Sequence, residues 1–469
     1  MTPPKVVVVG GGITGLAAAW RLEPLARAGR LEVELWEASE RLGGAIRSYA
    51  VAGAVVEGGP DSLLRRKPEA ERLAEAVGLG GELIPIHPQH RGSYLYHAGR
   101  LHPIPEGLEA GIPTRLGPLW RSPLLSLWGK LRAVGDLVRP PVPVGDDMAL
   151  GELLRRRFGR EVVTRLAEPL LSGVYAGDLN TLSTAATFPQ FLEWARKPGS
   201  LLAGAAAARR ARPRPSAAQS PFLTLAGGLE GLVRAVAARL SGIPVVLSRP
   251  VVAVEPAPAG WRVRSEGGET VAQAVIVAAP AWAAAAILHG LGAWSGLLAE
   301  IPYTNLAVVG MIWPHDAVPR PLDRTGFLVP RDEGLRITAC TFVHAKWAYP
   351  EPPPHAVLRV FLGRAGTDIL REDDAALLAI ARADLERVLG RFRGDPVWTG
   401  VFRLPRALPQ YTVGHRQRLD QLRAALTRHP GLYLAGAGYD GVGIPDCIRQ
   451  GQAAADAVLA HLGLPRPGP

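Results

Sequence analysis

Sulfur and aromatic side chains are scarce in this sequence, with 2 cysteines, 3 methionines and 6% Phe, Trp and Tyr over 469 residues. Cys340 and Cys447 stand far apart, and neither belongs to a CxxC pair or has a histidine companion. That spacing excludes a disulfide framework and a thiolate zinc site and fits a reducing, cytoplasmic setting. Long apolar runs are also missing. The start "MTPPKVVVVG" holds only four valines before glycine, too few for the apolar region of a signal peptide. The stretch "VAQAVIVAAPAWAAAAIL" at 271–288 is broken by Gln273 and Pro280 and falls short of a membrane span. Membrane contact is therefore expected at the periphery at most. No helix-turn-helix, zinc-finger or RNP-like pattern accompanies the net charge of +11, so nucleic acid is not expected as a partner. The excess is largely arginine, which favours anionic partners such as headgroups or a carboxylate-bearing ligand.

What is present begins with a β-α-β unit. "KVVVVG" is a continuous apolar run, "GGITG" a turn, "LAAAWRLEPLARAG" a helix and "LEVELWEA" a second strand, the pattern of buried parallel strands. From about 85 to 220, helical pieces such as "LLRRRFGREVVTRLAEPLL" alternate with Pro-rich connectors, which suggests an inserted, mostly helical region. There "SLLAGAAAARRARPRPSAAQSP" carries the densest basic cluster, Arg209, Arg210, Arg212 and Arg214, suited to a solvated loop or to contact with an anionic surface. Residues 221–284 read as a helix followed by short alternating strands and a return to a parallel strand, and 285–429 read as α+β. The last forty residues repeat the opening: strand "GLYLAG", glycine loop, helix. The expected division is a dinucleotide-binding domain from 1–84, 221–284 and 430–466, a helical insertion at 85–220, and an α+β substrate domain at 285–429.

Gly10, Gly12 and Gly15 fit GxGxxG between a strand and a helix, and Glu37 ends the second strand. Small residues let the backbone approach a pyrophosphate, the helix start supplies N–H donors, and the carboxylate suits ribose hydroxyls. The continuation "ERLGGAIRS" places Arg41 and Gly43–Gly44 where a second backbone segment can lie against the same pyrophosphate, which points to FAD rather than NAD. "EGGPDSLLRRK", from Glu57 to Lys67, offers Gly58, Gly59 and Pro60 for passing a flat ring. Near the end, "GAGYDGVGIPDC" leads to a helix expected to start at Pro445, its N-terminal dipole directed at whatever the loop encloses. In that loop Gly441 and Gly443 are read as letting backbone reach the flavin edge. No nucleophile elbow, HExxH or Ser/His/Asp set is found. His344, His355 and His415 read as structural, so no catalytic residue is assigned and the flavin carries the chemistry.

These blocks, with "EPLLSGVYAGDLNTLS", "TLAGGLEGL", "IPYTNLAVV", "GFLVPRDEG", "PQYTVGH" and "AGYDGVGIPDCIRQG", make the chain resemble the oxygen-dependent porphyrinogen oxidases over nearly its whole length. The family comprises protoporphyrinogen oxidases and bacterial coproporphyrinogen III oxidases. The resemblance implies a p-hydroxybenzoate-hydroxylase-like FAD domain with two dinucleotide-binding elements of Rossmann type, an antiparallel-sheet substrate domain and an inserted helical domain. It implies FAD contacts at Gly10, Gly11, Gly12, Ile13, Thr14, Gly15, Glu37, Ala38, Arg41, Gly44, Ala45, Gly59, Pro60, Asp61, Ser62, Val252, Val442, Gly443 and Ile444. The implied chemistry is a six-electron oxidation of a porphyrinogen in haem biosynthesis, with dioxygen as acceptor, hydrogen peroxide as by-product and a possible hand-off to a ferrochelatase. Coproporphyrinogen III is preferred over protoporphyrinogen IX from the basic balance and the absence of an anchor, with an FAD amine oxidase as the more distant alternative. Arg65, Arg66, Lys67, Arg91 and Arg100 are the residues expected at the substrate mouth, where guanidinium and ammonium groups would pair propionates.

Overall fold

In a computed structural model of the chain, residues 2–468 are described except 91, 110, 142, 198 and 212–219. A five-stranded parallel sheet runs in the order Val245–Val246, Glu32–Trp36, Lys5–Val9, Ala274–Val277, Leu432–Leu434. Val6–Val9 and Ala274–Val277 in the centre of the sheet are apolar at every position because both faces are covered. Val6, Val8, Val33, Leu35, Ala274 and Ile276 face a core shared with the helices Ile13–Arg27 and Ile444–His461. Val7, Val9, Trp36, Val275 and Val277 face the other way, against Val254, Trp261 and Val263. Those three residues belong to an antiparallel sheet of Val251–Ala257, Gly260–Ser265 and Gly268–Ala272.

The second large layer is a seven-stranded sheet in the order Trp398–Pro409, Tyr303–Trp313, Ala356–Leu362, Ile337–Phe342, Gly326–Leu328, Tyr94–His97, Arg100–Pro103. Every neighbouring pair is antiparallel except Gly326–Leu328 with Tyr94–His97. Ala356, Leu358, Val360 and Leu362 turn to one face, where helix Asp374–Leu389 covers them with Leu377, Ala381 and Leu385. The helix is capped by Asp373, whose carboxylate accepts the Ala376 N–H at 2.8 Å. Val357 lies on the opposite face, towards Val56 and Trp347, and Arg359 follows it by the two-residue strand period. The outer hairpin at 94–103 comes from the stretch expected to be helical; its short alternating strands are completed by pairing with Gly326–Leu328, more than 200 residues on.

The stretch 116–211 is mostly helical and has its own core, with Leu150, Leu153, Leu154, Phe158 and Phe191. It contains a fully buried ion pair, Arg157 with Asp136. Each charge is satisfied further: Arg157 donates to the carbonyls of Pro140 (2.8 Å) and Asp136 (2.7 Å), and Asp136 accepts from the Ser200 hydroxyl (2.7 Å) and the Leu202 N–H (2.8 Å).

Candidate functional site

The glycine turn after the first strand is fixed by contacts only glycine permits. A Cβ on Gly15 would lie 1.9 Å from the Gly10 carbonyl oxygen, and one on Gly11 would lie 2.5 Å from Leu42 Cδ2. Around Gly12, by contrast, nothing stands within 4 Å of the Cβ position, and the nearest segment is Gly44, whose own Cβ would sit 3.5 Å from the Gly12 Cα. Two backbone segments thus flank an open cradle at the start of helix Ile13–Arg27. Gly43 donates its N–H to the Gly11 carbonyl (2.8 Å), which holds the second segment beside the first. Arg41 braces it from within, donating to the carbonyls of Gly44 (2.9 Å) and Ile46 (2.6 Å). Glu37 accepts from the Gly11 N–H (2.5 Å) and from Ser39 N–H and hydroxyl (2.8 and 2.6 Å), which orients its carboxylate at the rim. Ala38 and Ala45 are exposed on this rim. Val252 is exposed, and the ladder passes from Val251 to Ala253 without pairing it, so a bulge frees backbone there as an adenine contact requires.

The segment 57–62 packs against the seven-stranded sheet. A Cβ on Gly59 would lie 1.9 Å from the Ala45 carbonyl, and one on Gly58 would press on Tyr49 and Phe402 at 3.1–3.2 Å. From the seven-stranded sheet the fully buried Arg359 donates to the carbonyls of Glu57 (2.7 Å) and Gly59 (2.6 Å) and pairs with Asp61 at 2.9 Å. Lys346 also reaches Asp61, at 2.9 Å. Burial alone would raise the Asp61 pKa, but the charges of Lys346 and Arg359 and the Ser62 hydrogen bond hold it far below the usual carboxylate range. Burial lowers Lys346 despite Asp61. Glu57, buried under this clamp, accepts from Leu229 N–H and the Ser48 hydroxyl (both 2.7 Å), yet burial still pushes it up to about 7. Pro60 and Ser62 are half-buried beside the cluster.

The third segment arrives from the far end of the chain. The helix begins at Ile444, one residue before the expected Pro445, with Gly443 at its cap and Pro445 inside the first turn. A Cβ on Gly451 would lie 2.1 Å from the Thr14 carbonyl oxygen, so this helix and Ile13–Arg27 touch backbone to backbone. Gly441 (φ +113°) and Gly443 make room for Asp446 in the helix's first turn: a Cβ there would meet that carboxyl at 2.4 and 3.2 Å. That packing is a use for both glycines beside the expected one, backbone reaching the flavin edge. Lys67 bridges both Asp446 oxygens, at 2.6 and 2.7 Å. The half-buried Val442 precedes them in the loop.

Residues without a recognisable signal of their own tie this loop to the helical region. Tyr411 accepts from the Gly441 N–H (2.8 Å), donates to the Ala437 carbonyl (2.6 Å) and stacks on His415 at 4.1 Å. Gln410 donates to the Tyr175 carbonyl (2.7 Å). The blocks "PQYTVGH", "LLSGVYAGD" and "GVGIPDC" therefore meet. His415 and His344 serve as structural groups, the first bonded to the Tyr439 carbonyl and the second taking the Val357 N–H.

The basic residues expected at a substrate mouth fare unevenly. Arg65 is engaged by Glu71 (3.1 Å) and Lys67 by Asp446, whereas Arg66 is exposed within electrostatic reach of Tyr175. Arg100 is exposed on the hairpin at the sheet edge. Arg91 lies outside the described residues, as do Arg212 and Arg214 of the basic cluster; Arg209 and Arg210 close helix Leu201–Ala211. A further ion pair, Arg331 with Glu168 at 2.6 Å, adjoins the Gly177 carbonyl.

An open cradle between Gly12 and Gly44, a rim carboxylate and two helix N-termini facing one region fit a dinucleotide with a second ring system, and so fit FAD. Fold and site together define a flavin-dependent oxidoreductase. Residues 13–459 match the family of flavin containing amine oxidoreductases. The chain is 40% identical to the coproporphyrinogen III oxidase of Bacillus subtilis, covering 97% of this chain and 98% of that one. It is 32% identical to the protoporphyrinogen oxidase of Homo sapiens, covering 97% and 98%. A solved structure from Exiguobacterium sp. 255-15 superposes with a TM-score of 0.86 at 37% identity, covering 99% of this chain and all of that one. The chain belongs to the flavin containing amine oxidoreductases and, within them, to the porphyrinogen oxidases, and its cofactor is FAD.

Proposed function

We propose that this chain oxidises coproporphyrinogen III to coproporphyrin III in haem biosynthesis, using three dioxygen molecules and releasing three of hydrogen peroxide. Six hydrogens leave the porphyrinogen, and each dioxygen takes up two with two electrons, so the reaction balances. The observation that carries this reading is the full-length match at 40% identity to a coproporphyrinogen III oxidase. Bound FAD supplies the two-electron chemistry. The protein's own work is positional. Gly10, Gly11, Gly12, Ile13, Thr14 and Gly15 with Gly44 and Glu37 would hold the nucleotide, Gly59 to Ser62 and Val442 to Ile444 would flank the ring, and Lys67 with Arg66 would meet propionates. Pyrrole N–H protons can leave to water, so no strong base is required of the chain.

The proposal keeps the division into a nucleotide-binding domain (1–84, 221–284, 430–466), a helical insertion (85–220) and a substrate domain (285–429). It extends to hand-off of the porphyrin to a ferrochelatase, whose metal insertion consumes this product, and to peripheral contact with a membrane. An amine oxidase is the competing reading, and Lys346, held over the Trp347 ring at 4.5 Å, gives it a specific footing. That lysine is committed to Asp61, which counts against a free amine-handling group. The deciding measurement is kcat/KM of the holoprotein on coproporphyrinogen III and protoporphyrinogen IX in detergent-free buffer, read by porphyrin fluorescence. A clear preference for protoporphyrinogen IX would reverse the substrate assignment; peroxide from polyamines with no porphyrin formed would sink the class.

A further inference from the structure

The clamp on segment 57–62 holds more positive charge than its own carboxylate neutralises. Arg359 is wholly buried and Lys346 keeps 13% of its side chain exposed, and both reach the same Asp61 oxygen, Oδ2, at 2.9 Å. The carbonyls of Glu57 and Gly59 accept from Arg359 as well, but they bring no charge. Arg359 Nη1, although close to Asp61, is a buried nitrogen that makes no aligned hydrogen bond among the described residues. Lys346 is backed by the ring of Trp347 at 4.5 Å, a contact that favours the ammonium without cancelling it.

Two neighbours stand close enough to offset the surplus. Glu57 accepts from the Leu229 N–H and the Ser48 hydroxyl, yet burial pushes it up to about 7, so below neutrality it is mostly uncharged. The Tyr349 hydroxyl, within electrostatic reach of Glu57, Asp61 and Arg359, is raised by burial and stays neutral. Burial draws Lys346 down, and the Asp61 contact acts to keep its proton. One ionised carboxylate therefore faces two cations, and a single positive charge is left over in slightly acidic solution. A buried cation without its anion is costly, so a fold that keeps one does so where negative charge is bound or develops. On the FAD ring negative charge develops when it takes up two electrons and one proton. Cations fixed in advance at such a place stabilise the reduced state more than the oxidised one.

We infer that Lys346 and Arg359, aligned by Asp61, raise the reduction potential of the bound FAD and so favour transfer of electrons from substrate to cofactor. The inference rests on the placement of Gly59 to Ser62 beside the ring in the proposal above, and it gives that segment an electrostatic role. The test is the midpoint potential of FAD in the full-length holoprotein, measured anaerobically against reference dyes at about pH 6, where Glu57 is protonated. Lys346→Gln should weaken the binding of reduced relative to oxidised FAD about tenfold, a shift of about 30 mV to lower potential for a two-electron couple. Lys346→Arg, which keeps the charge, should restore the wild-type value. Asp61→Asn, which removes the anion, should shift the potential the opposite way. A clamp that is only structural would move Tm in these variants and leave the potential alone, and that result would overturn the inference. Where Lys346→Gln does not retain FAD, the sign of the Asp61→Asn shift decides: upward supports the inference, unchanged or downward overturns it. Unmoved potentials in a protein that still forms coproporphyrin would refute the clamp's role and leave the functional reading standing. Both shifts in a protein that forms no porphyrin would do the reverse.

Discussion

Arg359 illustrates what single residues can and cannot disclose. In "HAVLRVFLG" it reads as one polar residue in an apolar strand; its burial makes sense only through the carbonyls of Glu57 and Gly59, about 300 positions away. Asp61 stands out in the sequence within "EGGPDS", but the cations that fix its charge do not, because their pairing is purely tertiary. Glu57 permits a direct check. Its carboxyl titrates near 4.5 in an unfolded chain and near 7 in the fold. As pH rises, the unfolded state releases this proton first, so the stability present below pH 4.5 is lost progressively up to pH 7, by about 3 kcal/mol. Glu57→Gln should abolish that slope. Urea titrations of both proteins at about pH 5 and about pH 7.5 would show the wild type losing stability relative to the variant. Parallel behaviour would mean that Glu57 is ionised in the fold at neutral pH.

Elements were readable where their periodicity is local. The opening strand-turn-helix-strand and the closing strand-loop-helix stand at their expected places, because buried parallel strands and amphipathic helices announce themselves in short windows. The hairpin at 94–103 was not readable: four-residue strands at a sheet edge carry little pattern of their own. Contact between helices Ile13–Arg27 and Ile444–His461 depends on one glycine. Gly451→Ala would place a methyl 2.1 Å from the Thr14 carbonyl oxygen, so one helix must move. The expected loss is about 3 kcal/mol of stability, and it should be accompanied by weaker FAD retention because Thr14 is among the residues proposed to hold the nucleotide. Thermal unfolding with and without added FAD would measure both effects. An unchanged Tm would show that the helices can separate freely.

At the scale of the whole molecule, motif order led to the expected three-part division, whereas the meeting of "LLSGVYAGD", "PQYTVGH" and "GVGIPDC" around Tyr411 was not foreseeable. Three distant segments converge there through hydrogen bonds that no spacing rule encodes. The parallel sheet has the same non-local character, and its strand order bears on how the protein is made. The edge strand Leu432–Leu434 docks on Ala274–Val277, and the helix that covers the nucleotide cradle follows it. During synthesis the first four strands leave the ribosome on the order of ten seconds before the fifth. Throughout that interval Ala274–Val277 has a bare edge and the cradle lacks its third wall. A chain stopped after Pro430 should accordingly emerge colourless and prone to edge-to-edge association, and a yellow, monodisperse truncation would refute this. FAD capture is thereby a late event in biosynthesis, timed by the arrival of the final segment.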